Sequence, residues 1–239
     1  DVTTQTIRRD INFLCTENLL RRYHGGAGLP STAENLPYDR RQVIASEEKQ
    51  RIARMVAERI PERASLFIDV GTTTEEIAKA LCNHQHLRVI TNNLNVARIL
   101  GPKDSFEVIV TGGVVREQDM ALVGEIGVEV INQFKVDFGI LGTSGIDMDG
   151  SLLDFDVRKV RISQAIIANS RKVLMAADFS KFGRNAMVRA GHVSDLDELY
   201  TDREPPAYMC DLLAEAEVKL CLSGRSTAKQ GSSEIDNLH

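Results

Sequence analysis

The stretch Leu66-Phe67-Ile68-Asp69-Val70-Gly71-Thr72-Thr73-Thr74 decides the fold. An apolar run ends in a glycine–threonine turn, and Glu75–Leu81 follows with helical spacing. A short apolar run closed by a turn reads as a buried strand, and a 3.6-residue apolar period after it reads as a helix. The same rhythm repeats downstream. Strands are expected at Ser65–Asp69, Arg88–Ile90, Glu107–Val110, Asp137–Leu141, Val173–Ala176, Glu198–Thr201 and Lys219–Leu222. Amphipathic stretches lie between most of them, at Glu75–Leu81, Leu94–Leu100, Glu125–Phe134 and Val157–Asn169. Such alternation means βαβ units, a parallel sheet and an α/β fold for residues 63–222.

Upstream the pattern differs. Residues 1–28 read as a helix followed by a hairpin: Thr3 is the expected N-cap, Val2, Ile7, Ile11 and Leu14 face inward, and Leu19–Ala27 is a strand entering a glycine turn. The chain opens at Asp1 inside this helix entry and is expected to be a fragment. Residues 29–62 form a linker, with Pro30, Ser31 and Pro37, and a connecting helix over about 47–60. That helix carries Glu47 and Glu48 in its first turn and Ile52, Val56 and Ile60 on one face. Residues 223–239 are polar and expected to be disordered.

The 239 residues are 43% hydrophobic and 26% charged, a globular composition, and the net charge of -5 restricts any nucleic-acid surface to a local patch. Cys15, Cys82, Cys210 and Cys221 are scattered, without zinc spacing, which fits buried thiols in a reducing cytoplasm. No apolar run is long enough for a membrane helix. No metal or cofactor is expected.

The turn Gly71-Thr72-Thr73-Thr74 aims backbone N–H groups and hydroxyls at one point beside a positive helix end, which suits a phosphate. It lacks the lysine of an ATP-binding P-loop and the glycine spacing of a dinucleotide site. Similar small polar turns follow three other strands: Thr91-Asn92-Asn93, Thr111-Gly112-Gly113 and Gly142-Thr143-Ser144-Gly145. The carboxyl ends of parallel strands converge on one crevice, so these turns together make a donor-rich lining. Lys181, in Asp178-Phe179-Ser180-Lys181-Phe182-Gly183-Arg184, supplies a matching cation, with Arg184 as a second.

On the first helix Gln5, Arg8 and Asn12 share an outward face, flanked by Thr4, Thr6 and Arg9, and the hairpin adds Arg21, Arg22 and His24. These side-chain types suit base edges and phosphates. A solvated polar face is the alternative. The runs Val2-Thr3-Thr4-Gln5-Thr6-Ile7-Arg8-Arg9-Asp10-Ile11 and Arg21-Arg22-Tyr23-His24-Gly25-Gly26-Ala27 resemble the recognition helix and wing of DeoR-type repressors. The resemblance implies a truncated winged helix-turn-helix with Gln5, Thr6, Arg8 and Arg9 in the major groove of operator DNA. By the same resemblance, roughly two further helices are expected to precede this point in the family pattern.

Residues 65–222 resemble the sensor domain of the same family, through D-x-G-T-T, T-N-N, G-G, G-[TS]-S-G-I-D and D-x-S-K-F-G. Within it, Thr91–Ala97 and Ser180–Val188 are most similar to repressors answering to glycerol 3-phosphate. The resemblance implies that ligand binding releases DNA. It implies that Asp69, Gly71, Thr72, Thr73, Thr91, Asn92, Gly112, Gly113, Ser144 and Lys181 line the site, with Thr74, Asn93, Thr143 and Gly145 from the same turns. Paired operator half-sites imply a homo-oligomer.

The sensor region also resembles ribose-5-phosphate isomerases, which carry an acidic D-G-A-D-E-I-D run. The equivalent Leu141-Gly142-Thr143-Ser144-Gly145-Ile146-Asp147 has lost the early acids, which leaves no evident base. Asp147, Asp149 and Asp154 around Gly150 read as turn residues. No catalytic residue is expected; an isomerase and a stand-alone phosphometabolite-binding module are the alternatives to a repressor.

Overall fold

The computed structural model describes residues 3–16, 21–23, 26–28 and 36–224. Helix α1 (Thr4–Thr16) is capped as expected, Thr3 Oγ1 accepting from the Thr6 N–H at 3.3 Å. Strands β1 (Arg21–Tyr23) and β2 (Gly26–Gly28) pair antiparallel, Tyr23 opposite Gly26. Of the expected inward face of α1, Ile7 is 46% exposed and Ile11 half-buried, while Val2 and the side chain of Leu14 lie outside the described residues.

The linker contains a helix that was not expected, α2 (Tyr38–Val43), entered through Pro37. Ala45, with φ 54, turns the chain into α3 (Ser46–Arg59). As expected, Ile52, Val56 and Ile60 are buried.

The α/β domain follows in the anticipated order. Strand β3 (Ser65–Ile68) leads into α4 (Thr72–Leu81), β4 (Arg88–Thr91) into α5 (Leu94–Leu100), and β5 (Glu107–Val110) into a hairpin of β6 (Val114–Arg116) and β7 (Ala121–Val123). After α6 (Glu125–Ile131) come β8 (Val136–Leu141), β9 (Gly145–Ile146) and β10 (Ser151–Asp154), then α7 (Val157–Ala168) and β11 (Ser170–Ala176). Strands β12 (Val188–His192) and β13 (Glu198–Thr201), α8 (Ala207–Glu215) and β14 (Lys219–Leu222) complete the described chain.

Seven strands form one parallel sheet in the order β14-β13-β11-β8-β3-β4-β5. The chain enters at β3, builds outward to β5, then returns to β8 on the other side of β3. Its direction of growth therefore reverses between β3 and β8, and at such a switch point the loops part and leave a crevice at the carboxyl ends. Side chains alternate across the sheet. Leu66 and Ile68 join α3, α4 and α5 in one core, whereas Phe67 joins α6, α7 and α8 in the other.

Strands β9, β10 and β12 form a small antiparallel sheet, and neither it nor the β6–β7 hairpin was expected. Asp154 lies on β10, 4% exposed, rather than in a turn, because it is drawn onto the Lys159 ammonium at 2.8 Å. Asp147 and Asp149 do build the turn, around Gly150 at φ 82, with the Ser151 N–H donating to Asp149 Oδ1 at 2.9 Å. Cys82, Cys210 and Cys221 are half-buried, not the fully buried thiols expected. Among the described residues no helix is long and apolar enough to cross a membrane.

Candidate functional site: a cation-lined cleft

A cleft of about 420 Å³, its open mouth included, lies where the sheet reverses. One wall is Val70–Thr73, the turn from β3 into α4, and another is Gly142–Ser144, which leaves β8. Gly71 is the N-cap of α4 and makes no side-chain cap, so the first-turn N–H groups at Thr72 and Thr73, the positive end of the helix dipole, lie at the cleft wall.

Four cations line the cleft: Arg41, Lys159, Lys181 and Arg184. Lys181 and Arg184 arrive on the segment Asp178–Arg184 that follows β11. Asp178 caps its 3-10 turn, accepting from the Ser180 N–H at 3.0 Å. That segment is clamped to β9 by the Gly183 N–H donating to Ile146 O at 2.8 Å. Gly145 makes this approach possible, since a Cβ there would lie 2.0 Å from the Arg184 carbonyl oxygen.

Burial pushes the Lys181 ammonium down to about 8, with Asp178 opposing and Arg184, Lys49 and Arg41 adding like charge. Arg184 is likewise lowered by burial and by Arg41. Both shifts have burial as their larger cause and neighbouring positive charge as a further one. Lys159 is neutralised differently. Burial disfavours its charge, but Asp154 at 2.8 Å and Asp69 at 3.5 Å outweigh that and hold its pKa above the ordinary lysine value. Asp154, whose burial would raise it, is held below the ordinary carboxylate range by Lys159 and by Ser144, which donates at 3.0 Å. A carboxylate so paired is a poor proton acceptor.

The cleft gathers Gly71, Thr72, Thr73, Thr143, Ser144 and Lys181 of the residues expected from sequence. Others support it from behind. Asp69 is buried and accepts from Ser163 Oγ at 2.7 Å, Thr74 Oγ1 donates to the Asp69 carbonyl at 2.7 Å, and Thr91 Oγ1 donates to Ile68 O at 2.7 Å. Asn93 caps α5 and donates to Glu75 Oε1 at 3.2 Å. Gly112 packs near Ile126, Gly113 sits against the Val123 backbone, and Gly145 seats the Asp178–Arg184 segment. Asn92 is buried with its side-chain amide unpartnered among the described residues.

Sequence reasoning missed Arg41 and Lys159. Lys159 carried a signal, because it falls on the buried side of α7 with Val160, Ile162, Ser163 and Ile166. Arg41 carried none, being one polar residue of a polar linker. On α1, Gln5, Thr6, Arg8, Arg9 and Asn12 are all exposed. The side chains of Thr4, Arg21 and Arg22 and the whole of His24 lie outside the described residues. Among the described residues no group of His, Cys, Asp and Glu is placed to hold a metal.

Cleft and sheet define an α/β domain with a cation-lined crevice at its switch point, preceded in the chain by a helix and a hairpin. Residues 1–33 match the DeoR-like helix-turn-helix domain and residues 44–203 the DeoR C terminal sensor domain. The chain belongs to the DeoR family of transcription regulators. It is 52% identical over 219 residues to the glycerol-3-phosphate regulon repressor of Escherichia coli K12, covering 92% of this chain and 87% of that protein. It is 50% identical over 222 residues to the repressor of the same name from Haemophilus influenzae, covering 93% and 86%. Among solved structures, ribose 5-phosphate isomerase A from Neisseria gonorrhoeae aligns with a TM-score of 0.40 at 16% identity, over 56% of this chain and 52% of that one.

Proposed function

We propose that this chain represses a glycerol-3-phosphate regulon, and that glycerol 3-phosphate bound in the cleft makes it release operator DNA. On this reading residues 1–28 are the DNA-binding head, 29–62 the connector and 63–222 the sensor. The observation that carries it is the convergence of Lys181, Arg184 and the α4 N-terminus on one cleft, beside Arg41, which shares Asp119 with Arg116, and Lys159, which Asp154 and Asp69 neutralise. A phosphate group matches the Lys181 and Arg184 side, while Asp154, Ser144 and Thr143 offer partners for hydroxyls. The same pairing of Asp154 with Lys159 argues for binding without proton transfer. The relatives bearing the repressor name support the choice of ligand, and exposed Gln5, Arg8 and Asn12 support a DNA-reading face.

Thermal unfolding with glycerol 3-phosphate, glycerol, inorganic phosphate, ribose 5-phosphate and fructose 6-phosphate tests the reading. Ligand at 100 times its Kd stabilises the native state by about 2.7 kcal/mol, roughly 5–10 °C at this size. A shift with glycerol 3-phosphate that is lost in Lys181→Met is the expected result. A shift only with a different sugar phosphate reassigns the regulon, and no shift with any of the five rejects the cleft.

A further inference from the structure

Helix α2 lies between the head and the sensor, yet it sends Arg41 into the cleft. There Arg41 Nη2 meets Asp119 Oδ2 at 3.4 Å. That contact is the weak half of a shared carboxylate. Arg116 grips the same Asp119 through two bonds, Nε to Oδ1 at 2.9 Å and Nη2 to Oδ2 at 2.8 Å. Asp119 thus keeps a bidentate partner if Arg41 leaves. Charge-assisted bonds to a phosphate are short and strong, whereas a single contact at 3.4 Å to an already-paired carboxylate is marginal.

Arg41 also donates through Nε to the Leu36 carbonyl at 3.1 Å, so a shift of its guanidinium pulls on the segment that leads into α2, while α2 itself is held at both ends. At one end Tyr38 Oη donates to Glu75 Oε2 at 2.6 Å, which fastens α2 to α4. At the other, the buried Lys49 ammonium donates to the Arg41 and Ile44 carbonyl oxygens. The Arg41 backbone is therefore tied to α3, and its side chain to the cleft.

We infer that Arg41 is the residue through which the ligand reaches the head: it exchanges Asp119 for the ligand's phosphate and carries α2 with it. This rests on the proposed reading of the cleft as a phosphate site. Ligand affinity and DNA release thereby become separable, since Lys181 and Arg184 hold the phosphate whether or not Arg41 joins them. Asp119 is the competitor that keeps α2 in its ligand-free place.

The test uses a duplex selected by the wild-type protein from a random-sequence pool, with binding read by fluorescence anisotropy as glycerol 3-phosphate is titrated. Calorimetry gives ligand affinity in parallel. Wild type is expected to lose operator affinity at saturating ligand. Arg41→Gln is expected to bind the ligand about tenfold more weakly, and its own duplex affinity is expected to be the same without ligand and at saturation. Asp119→Asn, with the competitor gone, is expected to bind ligand several-fold more tightly and to release DNA at a lower ligand concentration. If wild type binds ligand and releases DNA while saturated Arg41→Gln releases it equally, the inference is overturned and the cleft reading stands. If Asp119→Asn is folded by circular dichroism yet binds ligand more weakly than wild type, the exchange is overturned. If wild type binds no ligand, both fall together.

Discussion

Lys181 and Lys159 are two lysines in one cleft with opposite electrostatic histories. Lys181 has its proton held loosely, at about 8, by burial and by neighbouring cations. A phosphate dianion arriving beside it favours the ammonium and raises that value. In the free protein Lys181 is charged below about pH 8, so affinity is flat there with respect to this group. Above pH 8 the free protein must take up a proton to bind, and affinity falls by up to tenfold per pH unit. Calorimetry in two buffers of different ionisation enthalpy should show proton uptake on binding at pH 8.5 that falls away as the pH is lowered to 7; uptake unchanged over that range would show that Lys181 does not supply it. Lys159 serves the fold instead. Removing it strands Asp69 and Asp154 in the interior, and Lys159→Met should cost about 3–5 kcal/mol of unfolding free energy in a denaturant titration. A cost under about 1 kcal/mol would show that water reaches those carboxylates.

At the scale of elements, the Asp178–Arg184 segment depends on a glycine outside it. Gly145→Ala places a methyl where the Arg184 carbonyl oxygen sits. Overpacking of this kind costs about 1–3 kcal/mol, and here the segment that moves is the one carrying Lys181 and Arg184, the two cations of the proposed phosphate site. The variant should therefore lose more than tenfold in ligand affinity, while its Tm without ligand falls only modestly. Unchanged affinity would mean that Lys181 finds the ligand from another position. The strand that precedes each cleft loop was legible in the sequence, since apolar runs such as Leu66–Ile68 and Phe138–Leu141 can only be buried, and the glycine and threonine turns after them mark the carboxyl edge. Elements held by tertiary partners were not. The six residues of α2 have no apolar period, and what fixes them is Tyr38 on Glu75 and Lys49 on carbonyls, all distant in sequence or unpatterned. β9, with two residues, and β10, with a register shift between Leu152 and Leu153, are likewise too short or irregular to show a two-residue period. Within the site the same division holds: backbone-supplied groups announced themselves through turn chemistry, but Arg41 and Lys159 reach the cleft only through packing.

At the scale of the molecule, the cleft does not respect the boundary between connector and sensor. The match to the sensor domain begins at residue 44, three residues after Arg41. A chain beginning at residue 36 should keep the ligand-induced rise in Tm seen with the whole chain. One beginning at residue 45 should bind more weakly, because it loses Arg41 and also the carbonyl groups that satisfy the Lys49 ammonium. Equal shifts from the two would show that α2 contributes nothing to the ligand.

The gathering of cations at the switch point has a further consequence for how such a sensor counts. A cleft with standing positive charge accepts any small anion of the right size, and cellular fluid always contains orthophosphate. On the proposed reading the protein therefore responds to a ratio rather than to an amount: the half-response concentration of glycerol 3-phosphate should climb in proportion to background phosphate once that exceeds its own dissociation constant. Starvation for phosphate would then make the switch more sensitive, with no change in the protein at all.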